Sequence, residues 1–214
     1  MASEEKPLLA AVDLCCVRSD RLLFQGLGFA LRPGTLIKVA GPNGAGKTSL
    51  LRILAGLAQP EDGEVQWQGQ PIAHHAAEYA ADRRYLGHHN GHSLTLTARE
   101  NLRVAAALQG VEQSAAERDA ILETVGLAHV PDAPVARLSS GQRRRLALAR
   151  LLLGRAGVWI LDEPLNALDR AGQTLVNGML AEHLSRQGVA VVSTHHPLAL
   201  PSPARQQTLT LAAS

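Results

Sequence analysis

Gly41-Pro42-Asn43-Gly44-Ala45-Gly46-Lys47-Thr48 is the stretch on which the fold turns. It fits the pattern G-x-x-x-x-G-K-[ST] in full, directly after a short strand-like run, Thr35 to Ala40, and directly before an apolar helical run that ends at Gly56. Glycines in such a loop let backbone N–H groups point inward at a polyphosphate, and the start of the following helix favours its negative charge. Lys47 then reaches the β- and γ-phosphate oxygens, and Thr48 ligates Mg²⁺. A glycine-rich turn would explain the glycines but not the Lys-Thr pair at a strand-to-helix junction. The cradle, Gly41, Pro42, Asn43, Gly44, Ala45, Gly46, Lys47, Thr48 and Ser49, therefore predicts a nucleoside triphosphate site on an α/β fold.

Working outward, the segments before residue 72 are short and turn-bounded: Leu8 to Val17, Leu22 to Leu31, Thr35 to Ala40 and Glu64 to Trp67 read as strands. From Thr97 the pattern turns helical. Thr97-Ala98-Arg99-Glu100 and Ser114-Ala115-Ala116-Glu117 both match a capping box, and Gly110 and Gly126 are placed to end the two helices. Ser139-Ser140-Gly141-Gln142 opens a third helix with the same spacing, its apolar face running from Leu146 to Leu153. Val158 to Leu161 and Val189 to Ser193 are continuous apolar or small runs, as expected of parallel strands covered by helices on both faces, with Thr208 to Leu211 as a final strand. Pro201 to Pro203 reads as a turn or loop.

Two further sites of chemistry follow from these strands. Val158-Trp159-Ile160-Leu161-Asp162-Glu163 delivers two carboxylates at the carboxyl end of a buried strand, the edge at which open α/β sheets bind ligands. Asp162 is placed to hold Mg²⁺, directly or through water, and Glu163 to orient or deprotonate a water for attack on the γ-phosphorus. The next strand ends in Ser193-Thr194-His195-His196-Pro197, which puts the His195 imidazole on the same edge, able to sense a γ-phosphate.

At 214 residues, one compact domain is the default. The 21 basic and 19 acidic side chains nearly cancel, so charge argues for no nucleic-acid partner, and 3% aromatic content leaves no stacking platform for single strands. The only cysteines, Cys15 and Cys16, are adjacent, which fits a reducing compartment rather than a stapling disulfide or a spaced metal site. Met1-Ala2-Ser3-Glu4-Glu5 lacks the basic-then-apolar order of a signal peptide, and no apolar run approaches the ~20 residues of a spanning helix. The histidine pairs at 74–75, 88–89 and 195–196 lack cysteine support and fixed spacing, so metal or haem ligation is not expected of them. Arg143-Arg144-Arg145, with Arg137, Arg150 and Arg155, is expected to spread around a solvated helix face rather than form a nucleic-acid patch.

The phosphate loop at 41–48, Leu138-Ser139-Ser140-Gly141-Gln142, the strand ending Asp162-Glu163, and Leu168-Asp169 together resemble the ABC transporter ATPase family over nearly the whole chain. The resemblance implies a P-loop NTPase with a RecA-like parallel-sheet core, an N-terminal antiparallel β subdomain and a helical subdomain insert. It implies residues 1–87 and 156–214 for the core and 88–155 for the insert. ATP and Mg²⁺ are the implied ligands. Ser139, Ser140, Gly141 and Gln142 are implied to cap the γ-phosphate of ATP held by the opposite subunit of a head-to-tail homodimer, with Asp169 in the joining loop and His195 as the switch histidine. Two positions depart from the general pattern. Arg18 stands where an aromatic residue usually stacks on adenine, and can stack there through its guanidinium plane; His88 stands where the coupling loop normally carries Gln.

With Trp67-Gln68-Gly69-Gln70-Pro71, Tyr85-Leu86-Gly87-His88 and Trp159-Ile160-Leu161-Asp162-Glu163-Pro164, these departures are similar to the ATP-binding subunit of the cytochrome c maturation exporter, the CcmA family. That resemblance implies a separate CcmB-like integral membrane permease subunit, peripheral attachment at the cytoplasmic face of the bacterial inner membrane, and no direct binding of haem. The alternatives are the ATPase of another small exporter, or a soluble ABC ATPase that remodels ribosomes or DNA. The latter usually needs two fused cassettes, a long coiled coil or a basic extension, none of which the sequence carries. A P-loop kinase would have no use for Leu138 to Gln142.

Overall fold

A computed structural model describes residues 6–200 and 206–212. The turn expected at Pro201 to Pro203 and the opening Met1 to Glu5 lie outside the described residues. Two sheets organise the chain. A four-stranded antiparallel sheet has the order β2-β1-β4-β5, from β1 (Leu9–Arg18), β2 (Arg21–Leu31), β4 (Asp62–Trp67) and β5 (Gln70–Pro71). A five-stranded parallel sheet has the order β6-β7-β8-β3-β9, from β3 (Leu36–Ala40), β6 (Arg83–Leu86), β7 (Val158–Asp162), β8 (Val189–Ser193) and β9 (Gln206–Thr210).

Period-2 alternation splits the buried strands between two cores. Ile37, Val39, Val158, Ile160, Val189 and Val191 face α1 (Lys47–Leu54), which is sandwiched against Leu9, Leu14, Leu31 and Val65 of the antiparallel sheet. Leu50, Leu51, Ile53 and Leu54 of α1 are each at most 1% exposed, worth about 1.5–3 kcal/mol apiece relative to exposure. On the opposite face Leu36, Trp159, Leu161, Ala190 and Val192 pack on α6 (Arg170–Ser185) through Val176, Met179, Leu180 and Leu184. Asp82 ties the sheets together, accepting from Trp67 Nε1 at 2.9 Å and from the Gly157 N–H at 2.7 Å.

The helical stretch holds a third core of its own. In it α3 (Ala98–Leu108), α4 (Ala115–Thr124) and α5 (Ser140–Ala149) pack through Leu102, Leu122, Val125, Leu138, Leu146 and Leu153. All three capping boxes read from the sequence form, at Thr97/Glu100, Ser114/Glu117 and Ser139/Gln142. The short helix α2 (Ala76–Asp82), the two-residue strand β5 and the four-residue strand β6 go beyond the sequence reading. In β6 the buried positions are Arg84 and Leu86, and Arg84 reaches Leu153 O at 2.8 Å.

The arginine run corrects the sequence reading. Arg144 is only 4% exposed, and Arg143 and Arg145 are half-buried and hydrogen-bonded, to Leu138 O and Ala136 O and to Asp169 and Val125 O respectively. Consecutive helical residues point about 100° apart, so three in a row cannot share one solvated face. Arg144 lies on the stripe of Ala147 and Leu148, three and four residues on, which are buried.

Candidate functional site

Four adjacent parallel strands, β6, β7, β8 and β3, end at one edge, and each runs into a loop that carries a polar group of the site. The space between these loops is an open cleft of about 620 Å³. Asn43, Gly44, Gly46, Lys47, Thr48 and Ser49 form its floor; Asp162, Glu163 and Asn166 one wall; and His88, His195, Leu23 and Arg18 the rest.

The loop after β3 depends on its glycines for two different reasons. Gly41 has φ of 143° and lies so close to the last described segment that a Cβ would sit 2.5 Å from Leu211 O. Gly46, at φ 92°, caps α1 in a left-handed conformation. A Cβ on Gly44 would meet nothing within 4 Å, so that side of the cradle is open to a ligand. Lys47 Nζ donates to Gly41 O at 2.7 Å and Pro42 O at 3.0 Å, holding an ammonium at the mouth of the loop.

Beside it, Thr48 Oγ1 donates to Asp162 Oδ2 at 2.7 Å, and Ser193 Oγ donates to Asp162 Oδ1 at 2.5 Å. Thr48 and Asp162 thus bring a hydroxyl and a carboxylate together, a hard oxygen donor set that fits Mg²⁺. Glu163 has φ of 48°, rare for a residue with a side chain. Its N–H donates to Ser193 O and Oγ at 3.0 and 3.1 Å, and its carboxylate lies 3.5 Å from His195 Nε2 through Oε1. Glu163 Oε2 is buried without a hydrogen-bond partner, an acceptor position that a polar ligand or water in the cleft would satisfy.

Behind this wall sits Arg144. Its Nη2 donates to Asp162 O at 2.8 Å and Glu163 O at 2.6 Å, its Nη1 to Asn90 Oδ1 at 3.1 Å and Gly87 O at 3.3 Å, and its Nε to Pro164 O at 3.4 Å. Burial pulls its pKa below the usual guanidinium value, with the negative charges of Asp162 and Glu163 acting in the opposite sense. Arg150 fastens the same loop through Asn90 O and Gly91 O.

The structure thus brings Gly44, Lys47, Thr48, Ser49, Asp162, Glu163, His195 and Arg18 around one cleft. It does not bring Ser139, Ser140, Gly141 and Gln142 there: they lie at the start of α5, away from the cleft of their own chain, with Ser139 and Ser140 exposed. Gln142 is engaged with the Ser139 N–H at 2.9 Å, and Asp169 caps α6 while accepting from Arg145 at 2.9 Å. His88, the departure on the coupling loop, does line the cleft. Sequence reasoning missed Arg144 and the bridging role of Ser193. For Arg144 the available signal was its place on the stripe of Ala147 and Leu148.

Residues 24–166 match the ABC transporter family model. The cytochrome c biogenesis ATP-binding export protein CcmA of Methylococcus capsulatus is 50% identical over 89% of this chain and 92% of its own length, and that of Nitrosospira multiformis is 45% identical over 94% and 98%. The chain belongs to the CcmA family of ABC transporter ATP-binding proteins. Among solved structures, an ABC transporter ATP-binding protein from Pyrococcus furiosus is similar, with a TM-score of 0.80 at 26% identity over 94% of this chain and 96% of that one. As an ABC ATPase the chain hydrolyses ATP to drive transport, and the two sheets with their helices are those of the P-loop NTPase fold.

Proposed function

We propose that the chain is the energy-coupling subunit of a cytochrome c biogenesis export system, hydrolysing Mg·ATP as a head-to-tail homodimer on a separate, CcmB-like membrane subunit. The observation that carries the reading is the separation of Ser139–Gln142 from the cleft of their own chain, with Ser139 capping a helix whose N-terminus faces solvent. The start of a helix, where the dipole favours negative charge, suits a phosphate, and a second copy is the simplest source of one. Among the described residues no helix is long and apolar enough to cross a membrane, which fits peripheral attachment at the cytoplasmic face of the bacterial inner membrane.

In this reading ATP lies with its phosphates in the loop of residues 41–49, and Lys47 leaves the Gly41 and Pro42 carbonyls for the β- and γ-phosphate oxygens. Thr48 and Asp162 hold Mg²⁺, which when bound supplies charge neutralisation at the phosphates. Glu163 accepts a hydrogen bond from the attacking water through its unpartnered oxygen, and His195, 3.5 Å from the other Glu163 oxygen, contacts the γ-phosphate beside it. Arg18 packs on the adenine. The partner's Ser139–Gln142 segment closes the site.

Glu163→Gln tests this in the complex co-purified with its membrane subunit. In that complex the variant keeps ATP binding and loses at least about 100-fold in turnover, and the variant chain purified without the membrane subunit becomes a stable ATP-dependent dimer by light scattering. An unchanged turnover rate, or a chain that stays monomeric with ATP bound, would refute it.

A further inference from the structure

We propose that Arg144 is a positioning residue for hydrolysis, holding the Glu163 carboxylate in register from the same helix that carries the Ser139–Gln142 segment. The inference rests on the function proposed above. Glu163 occupies a left-handed conformation at φ 48°, and such a backbone costs about 1–3 kcal/mol and persists only where the surroundings over-determine it. Three groups do so. Ser193 takes the Glu163 N–H, the Asn166 N–H donates to Glu163 O at 3.2 Å, and Arg144 alone spans the carbonyls on either side of the Glu163 φ,ψ pair, those of Asp162 and Glu163.

The remaining contacts of Arg144 set its direction of action. Nη1 reaches Gly87 O and Asn90 Oδ1, so the loop that carries His88 and the strand end that carries Glu163 share one guanidinium. Arg144 stands five residues after Ser139 on one capped helix, about 7.5 Å along its axis. A displacement of α5 that seats Ser139 against a nucleotide therefore moves the guanidinium that fixes Glu163. The rigid planar fork is what serves diverging acceptors; a lysine ammonium keeps the charge but is a single point on a flexible stem.

The test uses the full chain co-purified with its membrane subunit. Arg144→Lys is expected to lower kcat by about 10–100-fold, the range a misplacement near 1 Å produces, with KM for ATP and the Kd for Mg·ATP within about twofold of wild type. Because Arg144 acts through Glu163, Arg144→Lys placed on Glu163→Ala should leave that variant's residual single-turnover rate unchanged within about twofold. A wild-type kcat in Arg144→Lys would overturn the proposal. So would an equal loss in both backgrounds, and so would loss of Mg·ATP binding, which would give Arg144 a purely structural role. An inactive wild-type complex would overturn the proposed function as well, whereas an active one with an indifferent Arg144→Lys removes this inference alone.

Discussion

Ser193→Ala removes one buried oxygen that serves two neighbours, and the cost of each can be worked out separately. Ser193 Oγ donates to Asp162 Oδ1 at 2.5 Å and accepts from the Glu163 N–H at 3.1 Å, and Ser193 is fully buried. The Glu163 N–H keeps Ser193 O at 3.0 Å, so no donor is orphaned on that side. The carboxylate loses a hydrogen bond to a charged group, worth about 1.5–3 kcal/mol, so a net loss near 2 kcal/mol is expected. For a chain of this size that lowers Tm by about 4–8 °C. Asp162 is left with Thr48 alone, free to rotate out of the donor set that Mg²⁺ requires, so kcat should fall by about 10-fold and the Mg²⁺ concentration for half-maximal rate should rise. Scanning calorimetry with and without Mg·ATP, followed by a Mg²⁺ titration of ATPase activity, measures both. A variant that melts within about 1 °C of wild type and titrates identically would refute the bridging role.

Two further outcomes follow from positions outside the carboxylate wall. Gly41→Ala must place a methyl 2.5 Å from Leu211 O at a φ of 143°, so it is expected to destabilise by several kcal/mol and to weaken ATP binding at least tenfold, read by melting and nucleotide titration. His183 is buried and stacked on Trp159 at 4.1 Å, and burial depresses its pKa below the ordinary histidine value. The unfolded chain therefore binds the proton more readily, and His183 subtracts stability as pH falls through about 6.5, by at most about 1.4 kcal/mol per pH unit. His183→Phe should flatten the dependence of Tm on pH between about 7 and 5.5, and an unchanged slope would show that His183 does not titrate on unfolding.

The cleft was legible in the sequence wherever the chemistry needed a rigid local pattern. Gly41 to Thr48 and the run into Asp162-Glu163 declare themselves because a loop that wraps a phosphate, and a buried strand that ends in carboxylates, restrict residue type at consecutive positions. The capping boxes at Thr97, Ser114 and Ser139 were readable for the same reason: each is closed within four residues. What escaped depends on partners far along the chain. Arg144 meets Asp162 and Glu163 from 18 and 19 residues away, and in a run of three arginines charge masks the one on the apolar stripe. The strand β6 hides because Arg84 fills a buried position, reaching Leu153 from 69 residues away. Ser193 reads from the sequence only as a strand end leading into His195, since nothing local shows that its hydroxyl joins Asp162, the last residue of the neighbouring strand, to the Glu163 N–H after it.

The third core has a consequence for how work leaves the cleft. Helix α5 belongs to two cores at once: its Leu146 and Ala149 lie in the cluster of α3 and α4, its Ala147 and Leu148 in the cluster beneath α6, and Leu152 and Leu175 border both. A helix gripped on two faces cannot slide on either without uncovering apolar surface, so a push on one block is carried into the other. The polar strap of Arg144 crosses the same seam, so that push also tugs on the backbone of the water-activating carboxylate.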